Sequence, residues 1–125
     1  MKTIMTNQAP KAVGVYSQGV VAHNMLFVSG QIPFVPATMT LVSQDIKEQT
    51  KQCLENVLAI VEAAGMSKTD IVRCTVFMTN LNDFPLMNEV YEAFFQDHKP
   101  ARAAVGVVAL PKNVQIEIDA IAVKS

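Results

Sequence analysis

KPARAAVGVVALPKNVQIEIDAIAV, residues 99–123, contains two runs of small and branched apolar residues on either side of Pro111-Lys112-Asn113. How those runs pair decides the sheet. Read as neighbouring strands, they form a hairpin with Pro111-Lys112-Asn113 at its turn. Arg102 stands at the entrance of the first run and Glu117 lies inside the second. Burying a guanidinium without a partner costs several kcal/mol, so Arg102 either stays wet or meets an anion. A two-residue loop would pair Leu110 with Asn113, setting Arg102 opposite Ile121 and Glu117 opposite Gly106. Both side chains would then share one face, with backbones about 13 Å apart. A three-residue loop would send them to opposite faces.

Outward from this stretch, the second run alternates. Ile116, Ile118, Ala120 and Ala122 fall on one side, and Gln115, Glu117, Asp119, Ile121 and Val123 on the other. IVRCTVFMTN (71–80) alternates too, with Val72, Cys74, Val76 and Met78 on one face and Arg73, Thr75 and Phe77 on the other. GVVAHNMLFVSG (19–30) is a hairpin by its His23-Asn24 turn. Two segments have helical period. QDIKEQTKQCLENVLAIVEAAG (44–65) stacks Ile46, Thr50, Cys53, Val57, Ile60 or Val61 and Ala64 on one face, with Asp45 as N-cap, Glu48 three residues on and Gly65 as the stop. NDFPLMNEVYEAFFQDHKP (82–100) has Asn82 or Asp83 as cap, Pro85 in its first turn, an apolar face of Met87, Val90 or Tyr91 and Phe94, and Pro100 beyond its end. The order β-β-α-β-α-β-β predicts an α+β fold, with two helices covering one face of a single mixed sheet. The other face, half polar and half apolar, suits a subunit interface containing a site, and MLFVSGQIPF (25–34) points the same way.

The bulk numbers agree with a single domain over residues 1–125. Half the residues are hydrophobic and 17% are charged, more apolar surface than a small monomer readily hides. The net charge is −1 and the ten Lys and Arg form no run, so there is no electrostatic footprint for nucleic acid or an anionic membrane. Cys53 and Cys74 match no metal-ligand spacing and read as reduced core thiols. The N-terminus lacks the apolar run of a signal peptide, and no segment approaches the ~18 apolar residues of a membrane span. A cytoplasmic protein is expected.

Few residues are left for chemistry. His23 sits in a turn and His98 at a helix end, both read as surface or capping residues. HxxxH, CxxC, GxGxxG and P-loop patterns are absent, so no metal or nucleotide site is indicated. There remain Arg102 and Glu117, with Tyr16, Asn88 and the Ser29-Gly30 turn. Arg102 could be a strand-edge residue paired with a surface carboxylate, and Glu117 a solvent-facing one. The functional alternative is a planar fork gripping a ligand carboxylate.

Six fragments in order make the chain resemble a known family: AP-KAVG-YSQGV, LFVSGQIP, QTKQCLENVLAIVEAAG, TVFMTNLNDFPLMNEVYEAFF, PARAAV and ALPKNVQIEIDAIAV. The family is the Rid (reactive intermediate deaminase) or YjgF proteins, and the resemblance is nearest to the RidA subgroup. It implies a chorismate-mutase-like homotrimer with ligand clefts between subunits. It also implies hydrolysis of 2-imino acids such as 2-iminobutanoate and 2-iminopropanoate, released by pyridoxal-phosphate dehydratases, to 2-keto acids and ammonia, with no cofactor required. On this resemblance Arg102 clamps the substrate carboxylate, Glu117 activates water and Tyr16 relays a proton. Asn88, Ser29, Gly30 and the backbone N–H of Ala104 line the pocket. The chain departs from the subgroup's usual Pro-Ala-Arg-Ser-Cys-Val at Ala103 and Ala104, and from its usual proline at Val15. Two rivals remain: the resemblance also implies an endoribonuclease or translation inhibitor, as some family members are described, which would want clustered basic residues that this chain lacks, and the same Arg102 would serve a small-carboxylate-binding or chaperone-like module.

Overall fold

The computed structural model describes all 125 residues. In chain order the elements are β1 (Lys2–Ile4), β2 (Gly19–Ala22), β3 (Met25–Gln31), β4 (Phe34–Val35), β5 (Thr40–Leu41), α1 (Ile46–Ala63), β6 (Ile71–Met78), α2 (Phe84–Phe95), β7 (Ala101–Gly106) and β8 (Ile116–Val123). The expected α+β plan holds, with β1 and the small β4–β5 hairpin added to it. Local signals explain the helices. The Asp45 carboxylate accepts the Glu48 N–H at 2.9 Å and so satisfies one of the free donors at the start of α1. Gly65 ends that helix at φ +78°, a conformation in which a side chain is strained. In α2 the buried positions are Met87, Tyr91 and Phe95, four residues apart. Phe94, expected in the core, is only partly buried.

The main sheet runs β1-β2-β3-β8-β6-β7, with β7 parallel to β6 and every other pair antiparallel. This corrects the hairpin expected from residues 99–123. β7 and β8 do not pair, because β6 lies between them. Arg102 pairs with Cys74 rather than facing Ile121, and Glu117 pairs with Phe77 rather than facing Gly106. The Pro111–Asn113 segment is a single 3-10 turn with Lys112 and Asn113 at φ 58° and 57°, a corner between strands that are not neighbours.

The helices cover one face only. Beneath them Leu26 and Val28 of β3, Ile116, Ile118, Ala120 and Ala122 of β8, and Cys74, Val76 and Met78 of β6 are buried. Full burial of each large aliphatic side chain stabilises the fold by roughly 1.5–3 kcal/mol. Val72, assigned to this face by alternation, is instead 43% exposed. The β6–β8 register shifts between Ile71 and Arg73, and that irregularity hands the core position to Ile71. Both cysteines are free and buried. Burial pushes the Cys53 thiol well above its ordinary range and that of Cys74 up to about 11, so neither is a thiolate near neutral pH. The opposite face is open. Phe27 and Ile121 pair across it beside Asp119 and Glu117, with Phe27 43% exposed. No helix is long and apolar enough to cross a membrane.

Candidate active site

Residues paired across a sheet project to the same face, so the registers assign each candidate a side. Arg102, beside buried Cys74, lies on the helix-covered face; Glu117, beside Phe77, lies on the open one. Within one chain the two do not share a site, which corrects the shared face expected from a two-residue loop. The structure sorts the candidates into two groups.

The first group lies at the junction of α2 and β7. The Arg102 Nη1 donates to the Asn88 side-chain oxygen at 2.7 Å. Its guanidinium carbon lies 4.7 Å from the centre of the Tyr91 ring and 5.4 Å from that of Phe84. No carboxylate of the chain pairs with it, since the two ion pairs present are Lys47–Glu89 and Lys124–Asp70. The surface-pairing alternative for Arg102 is therefore not what this chain adopts. A cavity of about 380 Å³ opens beside it, lined by Asn88, Tyr91, His98, Lys99 and Arg102 among others. β7 is the last strand of the sheet, and Val107 N–H donates to Met78 O at 2.9 Å. Alternation along a parallel ladder then leaves the N–H groups of Arg102, Ala104 and Gly106 on the free edge. The Ala104 methyl packs against the core, so its backbone N–H is the polar group it presents at the free edge.

The second group surrounds Glu117. A cavity of about 570 Å³ is lined by Tyr16, Ser29, Gly30 and Glu117, with Lys11 and Lys112 also on its wall. Gly30 belongs to the β3 irregularity between Val28 and Gln31 and is pressed against the Glu117 carboxylate, so that a Cβ there would overlap it. Glycine leaves the carboxylate free to take this position. Desolvation raises the Glu117 carboxyl above its ordinary range, and the nearby Asp119 carboxylate adds to the shift. Asp119 itself accepts the Thr75 N–H at 3.1 Å. Ser29 donates its hydroxyl to Ser17 O at 2.6 Å and its N–H to Gln18 O at 2.9 Å, tying the pocket turn to the segment that presents Tyr16. Tyr16 is 52% exposed at the rim, and Val15 before it is fully exposed.

Buried amides brace this second group, and nothing in the sequence pattern singles them out. The Gln18 side chain donates to Pro10 O at 2.8 Å and Thr6 O at 3.0 Å and accepts the Thr6 N–H at 2.7 Å, fixing the strap that leads to Tyr16. Gln49 accepts the Gln115 N–H at 3.0 Å and so positions the start of β8. Asn56 donates to Ile32 O and Phe34 O behind the pocket. Each is a satisfied buried polar group. His98 bonds Ile71 O at 2.6 Å and His23 makes the β2–β3 turn at φ 56°, and neither belongs to the Glu117 pocket. No group of three or more His, Cys, Asp or Glu is arranged to hold a metal ion.

The family model described as Endoribonuclease L-PSP matches residues 6–124. The chain is 54% identical over 123 residues to a RutC family protein of Pyrococcus horikoshii, covering 98% of each. It is also 54% identical over 126 residues to the 2-iminobutanoate/2-iminopropanoate deaminase of Salmonella typhimurium, again covering 98% of each. The crystal structure of E. coli TdcF with bound serine superposes with a TM-score of 0.96 at 51% identity, covering all of both chains. The chain belongs to the Endoribonuclease L-PSP family, the YjgF/Rid proteins that its sequence resembles.

Proposed function

We propose that the protein is a hydrolytic deaminase of small 2-imino acids, acting in clefts where Arg102 of one subunit meets Glu117 of the next. The observation that carries this reading is the separation of the two groups. Arg102 has a guanidinium with no carboxylate of its own, and Glu117 has a desolvated carboxyl in a pocket on the other face. Each lacks what the other offers. Joining unlike patches of identical chains makes a head-to-tail contact, which closes into a ring; a ring of three is the assembly the family resemblance implies. Binding of serine by TdcF supports a site for small molecules with an α-carboxylate.

The chemistry needs modest assistance, because an imine carbon is already electrophilic. Arg102 holds the carboxylate, with the free Ala104 N–H as a second donor and Asn88 fixing the guanidinium. Glu117, its proton affinity raised by burial, takes a proton from water as the oxygen adds to the imine carbon. Tyr16 at the rim relays a proton to the nitrogen. The resulting carbinolamine loses its C–N bond, releasing ammonia and the 2-keto acid. Lys11 and Lys112 give the pocket mouth a positive sign that favours anionic substrates. The reaction that supplies such substrates is β-elimination from hydroxy-amino acids by pyridoxal-phosphate dehydratases, and the role is removal of a reactive intermediate in the cytoplasm.

The test is a coupled assay in which threonine dehydratase generates 2-iminobutanoate and semicarbazide traps what survives. Wild-type protein should lower semicarbazone formation and Arg102→Ala should not. Equal trapping with and without folded wild-type protein sinks the reading for this substrate. Salt-sensitive RNA cleavage in place of deamination would support the endoribonuclease function instead.

A further inference from the structure

The helix α2 does more than cover the sheet. Phe84, Asn88 and Tyr91 are spaced four and three residues apart, which stacks them on one helical face. All three touch or overlie the Arg102 guanidinium, Asn88 through a 2.7 Å hydrogen bond and the two rings at 4.7 and 5.4 Å. The Tyr91 ring is itself held firmly: it is 6% exposed and packs against Phe95 with ring centres 4.8 Å apart. Its hydroxyl is buried with the Cys74 thiol as its neighbour and faces away from solvent, so what Tyr91 presents to Arg102 is its ring. None of the three residues is charged. A carboxylate in their place would orient Arg102 equally well but would compete with a ligand carboxylate for its donors.

We infer that Tyr91 is the positioning residue of the anion clamp: with Phe84 it forms a neutral aromatic platform that sets the plane of the Arg102 guanidinium and leaves its charge for the substrate. This rests on the reading of Arg102 as a carboxylate clamp. The ring face attracts the cation without using any of the five guanidinium N–H donors, and Asn88 uses one. Four donors remain for the ligand and its surroundings.

The experiment compares Tyr91→Leu, Tyr91→Phe and Phe84→Leu by steady-state kinetics on 2-iminobutanoate, with oligomeric state and thermal unfolding as fold controls. Tyr91→Leu should raise KM roughly 3- to 30-fold, the range of a partly buried cation–aromatic contact, with kcat little changed. Tyr91→Phe should recover most of that loss. Phe84→Leu, on the more distant ring, should move KM the same way by less, and it keeps the test open should Tyr91→Leu not fold. In an Arg102→Lys background the penalty of Tyr91→Leu should shrink. A second readout is independent of turnover: the Arg102 side-chain N–H resonance, assigned by its loss in Arg102→Lys, should lie upfield and move downfield in Tyr91→Leu or Phe84→Leu but not in Tyr91→Phe. Proportional falls in kcat and kcat/KM, an undiminished penalty in the Arg102→Lys background, or an unmoved resonance would overturn the inference. Absence of wild-type turnover with the resonance behaving as described refutes the deaminase reading while leaving the platform standing.

Discussion

The two faces of the sheet treat charge in opposite ways. On the covered face, Arg102 is held by an amide and two aromatic rings, all neutral, so its charge is left unopposed. On the open face, Glu117 is held against Gly30, desolvated and near a second carboxylate, so its proton is held more tightly than usual. On the proposed function, one environment preserves a charge for binding and the other adjusts a proton for transfer. A cation placed beside Glu117 would lower its proton affinity, and an anion beside Arg102 would occupy its donors. Within one chain they lie on different faces of the sheet, so neither disturbs the other.

The largest expected effect comes from removing the proton acceptor. Glu117→Gln should lower kcat roughly 10²- to 10⁴-fold, the usual contribution of general acid–base catalysis. It should still bind 2-oxobutanoate, as read by calorimetry; lost binding would assign Glu117 to the clamp instead. Arg102→Ala should reduce kcat/KM about 10- to 150-fold, corresponding to ~1.5–3 kcal/mol for a charged hydrogen bond, and should do so through KM. Equal mixing of these two variants under conditions of subunit exchange should restore about a quarter of wild-type activity, because one site in four then joins an intact Arg102 to an intact Glu117. Failure to recover any activity, with exchange verified by mass spectrometry, would place both residues in one subunit's site and dissolve the comparison.

Smaller effects sharpen it. Gly30→Ala puts a methyl where the Glu117 carboxylate lies and should push that flexible side chain aside, lowering kcat more than it raises KM with little change in thermal stability. The pH dependence has a definite sign. Because burial and Asp119 raise Glu117 in the folded state, activity that needs the carboxylate falls as pH drops through that raised value. Asp119→Asn removes the repulsion and should move this acidic limb to lower pH; an unmoved limb would assign it to another group. For stability, the raised proton affinity favours the folded protein fully below the ordinary carboxylate range and is lost as pH rises through the folded value. Thermal unfolding of Glu117→Gln should therefore show less decline than wild type over that interval.

The helices were readable because their signals are local: Asp45 before Glu48, Gly65 after Ala64, and apolar residues every three or four positions between. The face assignments within β8 were readable for the same reason. The pairing of residues 101–106 was not, because a strand's partner is a non-local choice. Adjacent strands often pair, but here β6 inserts between β7 and β8. Nothing within residues 99–123 announces that insertion. Arg102, Asn88, Ser29, Gly30 and Glu117 were nominated by residue type and by family resemblance, and the structure gathers them into two groups rather than one. The helical period leaves Val90 or Tyr91 as the core position, and the structure buries Tyr91. Its spacing from Asn88 and Phe84 held the further signal, but only once Arg102 was known to lie above that face.

The insertion of β6 has one more consequence. If each reaction centre draws its anion clamp and its proton acceptor from different copies of the chain, a solitary folded chain is inert, and specific activity becomes a function of protein concentration. Dilution below the association range would silence the protein without unfolding it, and the rate would rise more steeply than first order in chain concentration. Synthesis of the chain and onset of its activity would then be separate events, linked by mass action alone.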